Sequence, residues 1–327
     1  MPRTRRILAL AATATALVML SACASSTATG DAGNADDSTI TVSSAYGDVE
    51  IPQNAERVAA VSYDTPWQLM SVDVQPIATI DYSNWLDSYT EKQQDFIADA
   101  AVIGTFGEVN FEALTAATPD LIIGDAYEID KATFERLSSI APTVIVGGED
   151  RGDWQSITEQ VAQATGQTTV WEEGKATYEA LRDQTIATYA DVIKGNGWIN
   201  FSLGNEAGQF SVQLPSGTTG NLIVTELGMA YPKGAQLEDV GGSGYISLPL
   251  ERLPEVFDGV TYALTFSQVD GSTDEGIQAI IDSDLFQSLE VAKSDRIYGM
   301  RTTVTDYRTA ADWINELTEH VLAPLSE

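Results

Sequence analysis

The residue types with the most recognisable chemistry are almost missing: a chain of 327 residues holds one histidine, His320, and one cysteine, Cys23. Sites that surround zinc, manganese or an iron–sulfur cluster with several imidazoles or thiolates are therefore excluded, as is an internal disulfide. A positioned imidazole base has only His320 to draw on, and that residue falls in a closing helical pattern where a surface position is expected. There is no Gly-x-Ser-x-Gly elbow and no Gly-Lys-Ser/Thr phosphate loop. Carboxylates, hydroxyls, aromatics and a few arginines remain. Forty-eight acidic against seventeen basic residues give a net charge of -31, a field that repels phosphate backbones and excludes nucleic acid as a partner. A paired-carboxylate site is the one enzyme chemistry that counting leaves open.

The N-terminus carries Arg3, Arg5 and Arg6 ahead of a weakly polar to apolar run from Ile7 to Leu20, the length of a signal-peptide core and too short to span a bilayer comfortably. The run ends in Leu20-Ser21-Ala22-Cys23, which resembles the bacterial lipobox. That resemblance implies cleavage before Cys23 and acylation of its thiol, so the mature chain is expected to be anchored by lipid to the outer face of the cytoplasmic membrane. Arg5-Arg6 fits a twin-arginine signal poorly. Residues 24–38 are small, polar and acidic, a composition expected to form a flexible tether.

The elements that must position any functional group begin with Ile40, Val42, Tyr46-Gly47-Asp48, Val49 and Ile51, which predict a hairpin closed by Pro52. Short apolar strands at 57–61, 75–80, 121–124 and 143–146 alternate with helical patterns at 67–72, 111–117 and 134–140. Such alternation predicts a mostly parallel sheet covered by helices. Pro119 and Pro142 stand just before buried strands. A helix at 154–165 ends at Gly166, and 168–192 reads as the longest helix of the chain, with Val170, Tyr178, Leu181, Tyr189 and Val192 on one stripe. Gly195-Asn196-Gly197 breaks it. A second strand-and-helix series follows at 198–203, 209–214, 222–227, 260–266, 275–281 and 296–300, with a closing helix at 309–322. The expected fold is α/β: two Rossmann-like lobes joined by a single long helix, with a ligand cleft between the lobes. The expected division is a leader at 1–22, a tether at 23–38, an N-terminal lobe at 39–166, a connecting helix at 167–194 and a C-terminal lobe at 195–327.

Several segments in this order resemble the substrate-binding lipoproteins of ABC importers for iron–siderophores, haem and cobalamin. They are Gly47 to Val61, Gly104 to Gly124 with Asn110-Phe111-Glu112-Ala113-Leu114, Leu137 to Val146 with Ile140-Ala141-Pro142-Thr143, Gly220 to Gly228, Ser247 to Pro254 and Leu285 to Tyr298. Ser62-Tyr63-Asp64-Thr65-Pro66-Trp67, followed by Tyr82 to Trp85, is most similar to actinobacterial-type iron–siderophore binders. The resemblance implies capture of a ferric siderophore, delivery to an ABC permease driven by a separate ATPase, no cofactor, no metal held by the protein itself, and a monomer. It also implies that Glu112 and Glu251, each opening a helix, dock with permease arginines; the plain alternative is two first-turn glutamates favoured by the helix dipole.

A chelate whose iron is already wrapped in oxygen donors calls for aromatic faces and a few polar groups rather than a metal cage. The candidates are Tyr63, Trp67, Tyr82, Trp85, Phe106 and Tyr127 in the first lobe, and Phe210, Tyr245, Phe266, Arg301, Tyr307 and Arg308 in the second. Trp198 and Trp313 are expected in the core. Few basic residues are available to neutralise a catecholate or citrate complex, although Arg301 and Arg308 could form a positive spot, so a neutral or cationic hydroxamate complex is favoured. Haem or cobalamin in the same fold, a surface interaction lipoprotein and a paired-carboxylate enzyme are the other readings.

Overall fold

The computed structural model describes residues 38–326. The leader, the tether and Cys23 lie outside the described residues.

The opening hairpin pairs Thr39–Val42 with Val49–Pro52 in antiparallel register. Its turn is fastened to the first lobe where the Ala45 amide donates to the Ile145 carbonyl at 2.8 Å. That lobe is built on a five-stranded sheet in the order Ala101–Val102, Ala78–Thr79, Val58–Ala60, Leu121–Asp125, Thr143–Val146, parallel throughout. The two strands after Pro119 and Pro142 are buried along their whole length, as a parallel sheet covered on both faces requires. The helix Phe111–Ala117 begins where Asn110 accepts the amides of Glu112 and Ala113, both at 3.1 Å, and ends in left-handed Thr118 before Pro119.

The second sheet runs Tyr245–Pro249, Gln209–Gln213, Trp198–Leu203, Tyr262–Phe266, Ile297–Met300. Its last three strands are parallel, but the first two are antiparallel, so this half departs from the mostly parallel expectation. The reason is local: only residues 204–208, with glycine at both ends, separate Trp198–Leu203 from Gln209–Gln213, and a five-residue link permits a hairpin but no crossover. Residues 221–226, expected to belong to a strand-and-helix series, are helical.

The connecting helix is Thr168–Thr188, 21 residues or about 30 Å long. It is shorter than the pattern predicted, because Tyr189 leaves helical geometry (φ -113, ψ 25) before a separate turn at Ala190–Lys194. Tyr178 is buried at its centre and packs edge-on against Trp154, from the helix Trp154–Ala164, with centroids 5.6 Å apart. Tyr307, at the start of the closing helix Tyr307–Leu317, completes the knot at 5.0 Å from Trp154 and 5.3 Å from Tyr178. Two further ties join the lobes. The Gly152 amide donates to the Ser216 carbonyl at 2.7 Å, an approach so close that a Cβ on Gly152 would lie 2.5 Å from the Pro215 oxygen. Arg308 grips both carboxylate oxygens of Asp73, at 2.7 and 3.0 Å. Trp198 and Trp313 are fully buried, as expected, and His320 is exposed.

Candidate functional site

The loops after the first-lobe strands gather aromatics in two layers. Trp67, Tyr82 and Tyr89 form the buried layer, with Trp67 4.4 Å from Tyr89 and 5.2 Å from Tyr82. Tyr63, Trp85 and Phe106 form the outer one: Tyr63 meets Trp85 edge-on at 5.3 Å and Phe106 at 5.7 Å. Phe106 is 55% exposed, at the tip of the hairpin Gly104–Thr105/Glu108–Val109, where Gly107 takes φ 74. Hydroxyls lock the layers together, Tyr82 donating to the Tyr63 carbonyl and Tyr89 to the Tyr63 hydroxyl at 2.6 Å. Burial raises the pKa of all three phenols, and the neighbouring Asp64 and Glu128 raise that of Tyr63 further. They are neutral hydrogen-bonding surfaces.

Tyr63, Trp67, Tyr82, Trp85 and Phe106 thus come together, and Tyr89 joins them without having been anticipated. Its signal was Thr90-x-x-Gln93, a reciprocal cap that starts the helix Glu91–Ile97 and holds Tyr89 against the cluster. Tyr127 stands apart under Arg151, whose guanidinium lies 4.9 Å over its ring.

The second-lobe candidates do not converge in the same way. Phe210 is fully buried against Phe257 and belongs to the lobe's core, which corrects its assignment to ligand. Tyr307 is likewise removed, since its ring sits inside the aromatic knot between the lobes. The positive spot expected from Arg301 and Arg308 is also corrected. Arg301 donates to Glu316 at 2.9 Å and Arg308 is paired with Asp73, so both charges are matched locally. Tyr245 donates to Asn205 at 3.1 Å, and Phe266 is half-buried against the core; neither ring pairs with the first-lobe platform among the described residues. Glu112 and Glu251 are exposed and make no ion pair among the described residues.

Two recesses open between the lobes. The larger, about 510 Å³, is lined by Trp67, Tyr89 and Lys92 on one side and by Arg301, Thr302 and Asp306 on the other. The smaller, about 140 Å³, lies between Asp64, Gln68, Asp125, Tyr127 and Arg151 of the first lobe and Gln213, Gly217 and Ser243 of the second. Composition and motifs do not single out its carboxyls among the forty-eight acids. Asp64 caps the helix Thr65–Ser71 without a side-chain hydrogen bond; burial and then repulsion from Asp125 push it up to about 7, against the pull of Arg151. Asp125 ends a buried strand and accepts the amides of Tyr127 and Glu128 at 2.9 Å, yet burial still raises it. Glu128, which accepts the Tyr63 amide at 3.0 Å, is pushed up to about 8 by burial and by Asp125.

Two α/β lobes on a connecting helix, with recesses between them and an aromatic platform beside them, have the architecture of a bilobal solute-binding protein. The chain belongs to the periplasmic binding protein family, whose model matches residues 58–303. It is 21% identical to YhfQ of Bacillus subtilis, which carries the name of an ABC transporter substrate-binding lipoprotein, over 93% of both chains. It is 26% identical to the ferric enterobactin-binding periplasmic protein FepB of Escherichia coli, over 47% of this chain and 49% of that one. Among solved structures, SirA of Staphylococcus aureus in complex with staphyloferrin B shares the fold at TM-score 0.69 and 19% identity, covering 86% of this chain and 98% of SirA. The catecholate-siderophore binding protein VctP of Vibrio cholerae does so at TM-score 0.68 and 14% identity, covering 86% and 100%.

Proposed function

We propose that this protein captures a ferric siderophore of neutral or cationic, hydroxamate type outside the cytoplasmic membrane and delivers it to an ABC permease. Siderophore binding by FepB, SirA and VctP supports the substrate class, and the outer rings Tyr63, Trp85 and Phe106 are the surface on which a preformed chelate would rest. The observation that carries the choice of chelate is the charge around the recesses. Arg301 and Arg308 are already paired, while Asp64, Asp125 and Glu128 crowd together beside Tyr63. A trianionic catecholate complex would find two locally matched arginines and a group of carboxyls beside Tyr63 rather than a positive patch. The aromatic platform and the two recesses distinguish this reading from an interaction lipoprotein without a small-molecule cleft.

In this reading Glu112 and Glu251 meet arginines of the permease, Cys23 carries the lipid anchor, and residues 39–166 and 195–327 form the two lobes on a helix at 167–194. The test is quenching of intrinsic tryptophan fluorescence by ferric trihydroxamate, tricatecholate and citrate complexes, haem and cobalamin. Tight quenching by the trihydroxamate is expected. Tight binding of the tricatecholate alone would overturn the choice of chelate, and no quenching by any of them would overturn the function.

A further inference from the structure

The smaller recess is built differently from the aromatic platform. Gln68 is 5% exposed, on the helix that Asp64 caps, and its Oε1 is buried without a hydrogen-bond partner although the residue lines the recess. A buried amide oxygen left unpaired loses its hydration without a replacement, which a bound donor would supply. The Asp64 carboxyl on the same wall accepts no hydrogen bond either. Asp125 stands beside them with one oxygen engaged by backbone amides. The charged groups facing this space are therefore Asp64, Asp125, the adjoining Glu128 and a single cation, Arg151, which is stacked over Tyr127 and forms no ion pair among the described residues.

Free acceptors converging on a space with excess negative charge ask for a compact cation that carries several N–H donors, and a primary ammonium carries three. We propose that this recess is the subsite for a protonated amine on an arm of the siderophore, held by Asp64 and Gln68 with Asp125 behind them, while the iron centre stays on the platform of Tyr63, Trp85 and Phe106. The volume of about 140 Å³ is several times what one water needs, so the ammonium fits with the first carbons of its chain. Both lobes line the space, so an arm seated there touches each of them.

The inference rests on the siderophore reading, and the experiment separates the two. Ferrioxamine B, a linear trihydroxamate complex ending in a primary amine, is compared with its N-acetyl derivative, which keeps the iron centre and loses the charge. Tryptophan quenching is followed at about pH 8, where Asp64 is ionised. The wild type is expected to bind the amine form about tenfold or more tightly, the value of one charge-assisted contact. Asp64→Asn, and independently Gln68→Leu, which removes the unpaired amide and should fold at least as well, are expected to bring the two complexes to within about twofold of each other. Equal affinity of the two complexes for the wild type would overturn the subsite and leave the siderophore reading standing, as would a tenfold preference that survives in both variants. Absence of quenching by either complex would overturn both.

Discussion

Asp64 makes stability depend on pH in a direction opposite to that of an ordinary salt-bridged carboxylate. Its pKa moves from 3.8 to about 7 on folding, chiefly through burial and then through Asp125. Between those values the folded chain keeps a proton that the unfolded chain has released. Stability contributed by the protonated group is therefore complete below about pH 4 and is lost as pH rises toward about 7, at about 1.4 kcal/mol per pH unit. Asp64→Asn has the shape of the protonated acid and does not titrate. The stability gap between variant and wild type should consequently widen, in favour of the variant, by roughly 3 kcal/mol from about pH 5 to about pH 8 and level off above that. For a chain of this size that is about 5–10 °C in melting temperature. Thermal unfolding of both proteins in matched buffers across this range is the assay, and taking the difference cancels the general self-repulsion of a chain of net charge -31. A gap that stays constant, or one that closes as pH rises, would refute the assignment of a buried, repelled carboxyl at this position.

Tyr307→Ala should cost about 3–5 kcal/mol by opening a cavity between Trp154, Trp171 and Tyr178, while siderophore quenching well below the melting temperature persists. Lost affinity at unchanged stability would return that ring to the ligand. Replacing both Glu112 and Glu251 with alanine should lower siderophore uptake by about tenfold or more and leave the dissociation constant unaltered; normal uptake would remove them from permease docking. Arg308→Ala should cost under about 1 kcal/mol in urea unfolding, because the Arg308 and Asp73 side chains are 41% and 65% exposed, and the effect should shrink further in high salt. A loss of several kcal/mol would show that this ion pair bears much more of the lobe contact than its exposure permits.

The parts of the fold set by local chemistry were legible in the amino-acid order. Leu121-Ile122-Ile123 after Pro119 and Val144-Ile145-Val146 after Pro142 are continuous apolar runs, and each is a buried parallel strand. The helix over 111–117 was bounded by Asn110 and by Thr118-Pro119, and the structure keeps those bounds. Strand Tyr245–Pro249 was harder to see, following a glycine-rich run and being half-buried for most of its length. The site was less legible than the fold, because an aromatic in a loop looks the same whether it faces ligand or another lobe. Tyr307 is settled only by three partners distant in sequence. Phe210 was decidable: within a strand at 209–214, alternation puts it on the same face as Val212, and both are in the core. Asp64 and Asp125 carried positional signals, one before a helix that opens with Thr65-Pro66 and the other at the end of an apolar strand.

The knot of Trp154, Tyr178 and Tyr307 also bears on how the protein can be instrumented. Dyes placed on opposite lobes would report little, since three interlocked rings from three helices cannot separate without exposing fully desolvated aromatic area to water. On the proposed reading a label near Phe106 would sense cargo directly. With the chelate on the platform, as that reading has it, residence time would follow the grip on the chelate rather than a swinging door.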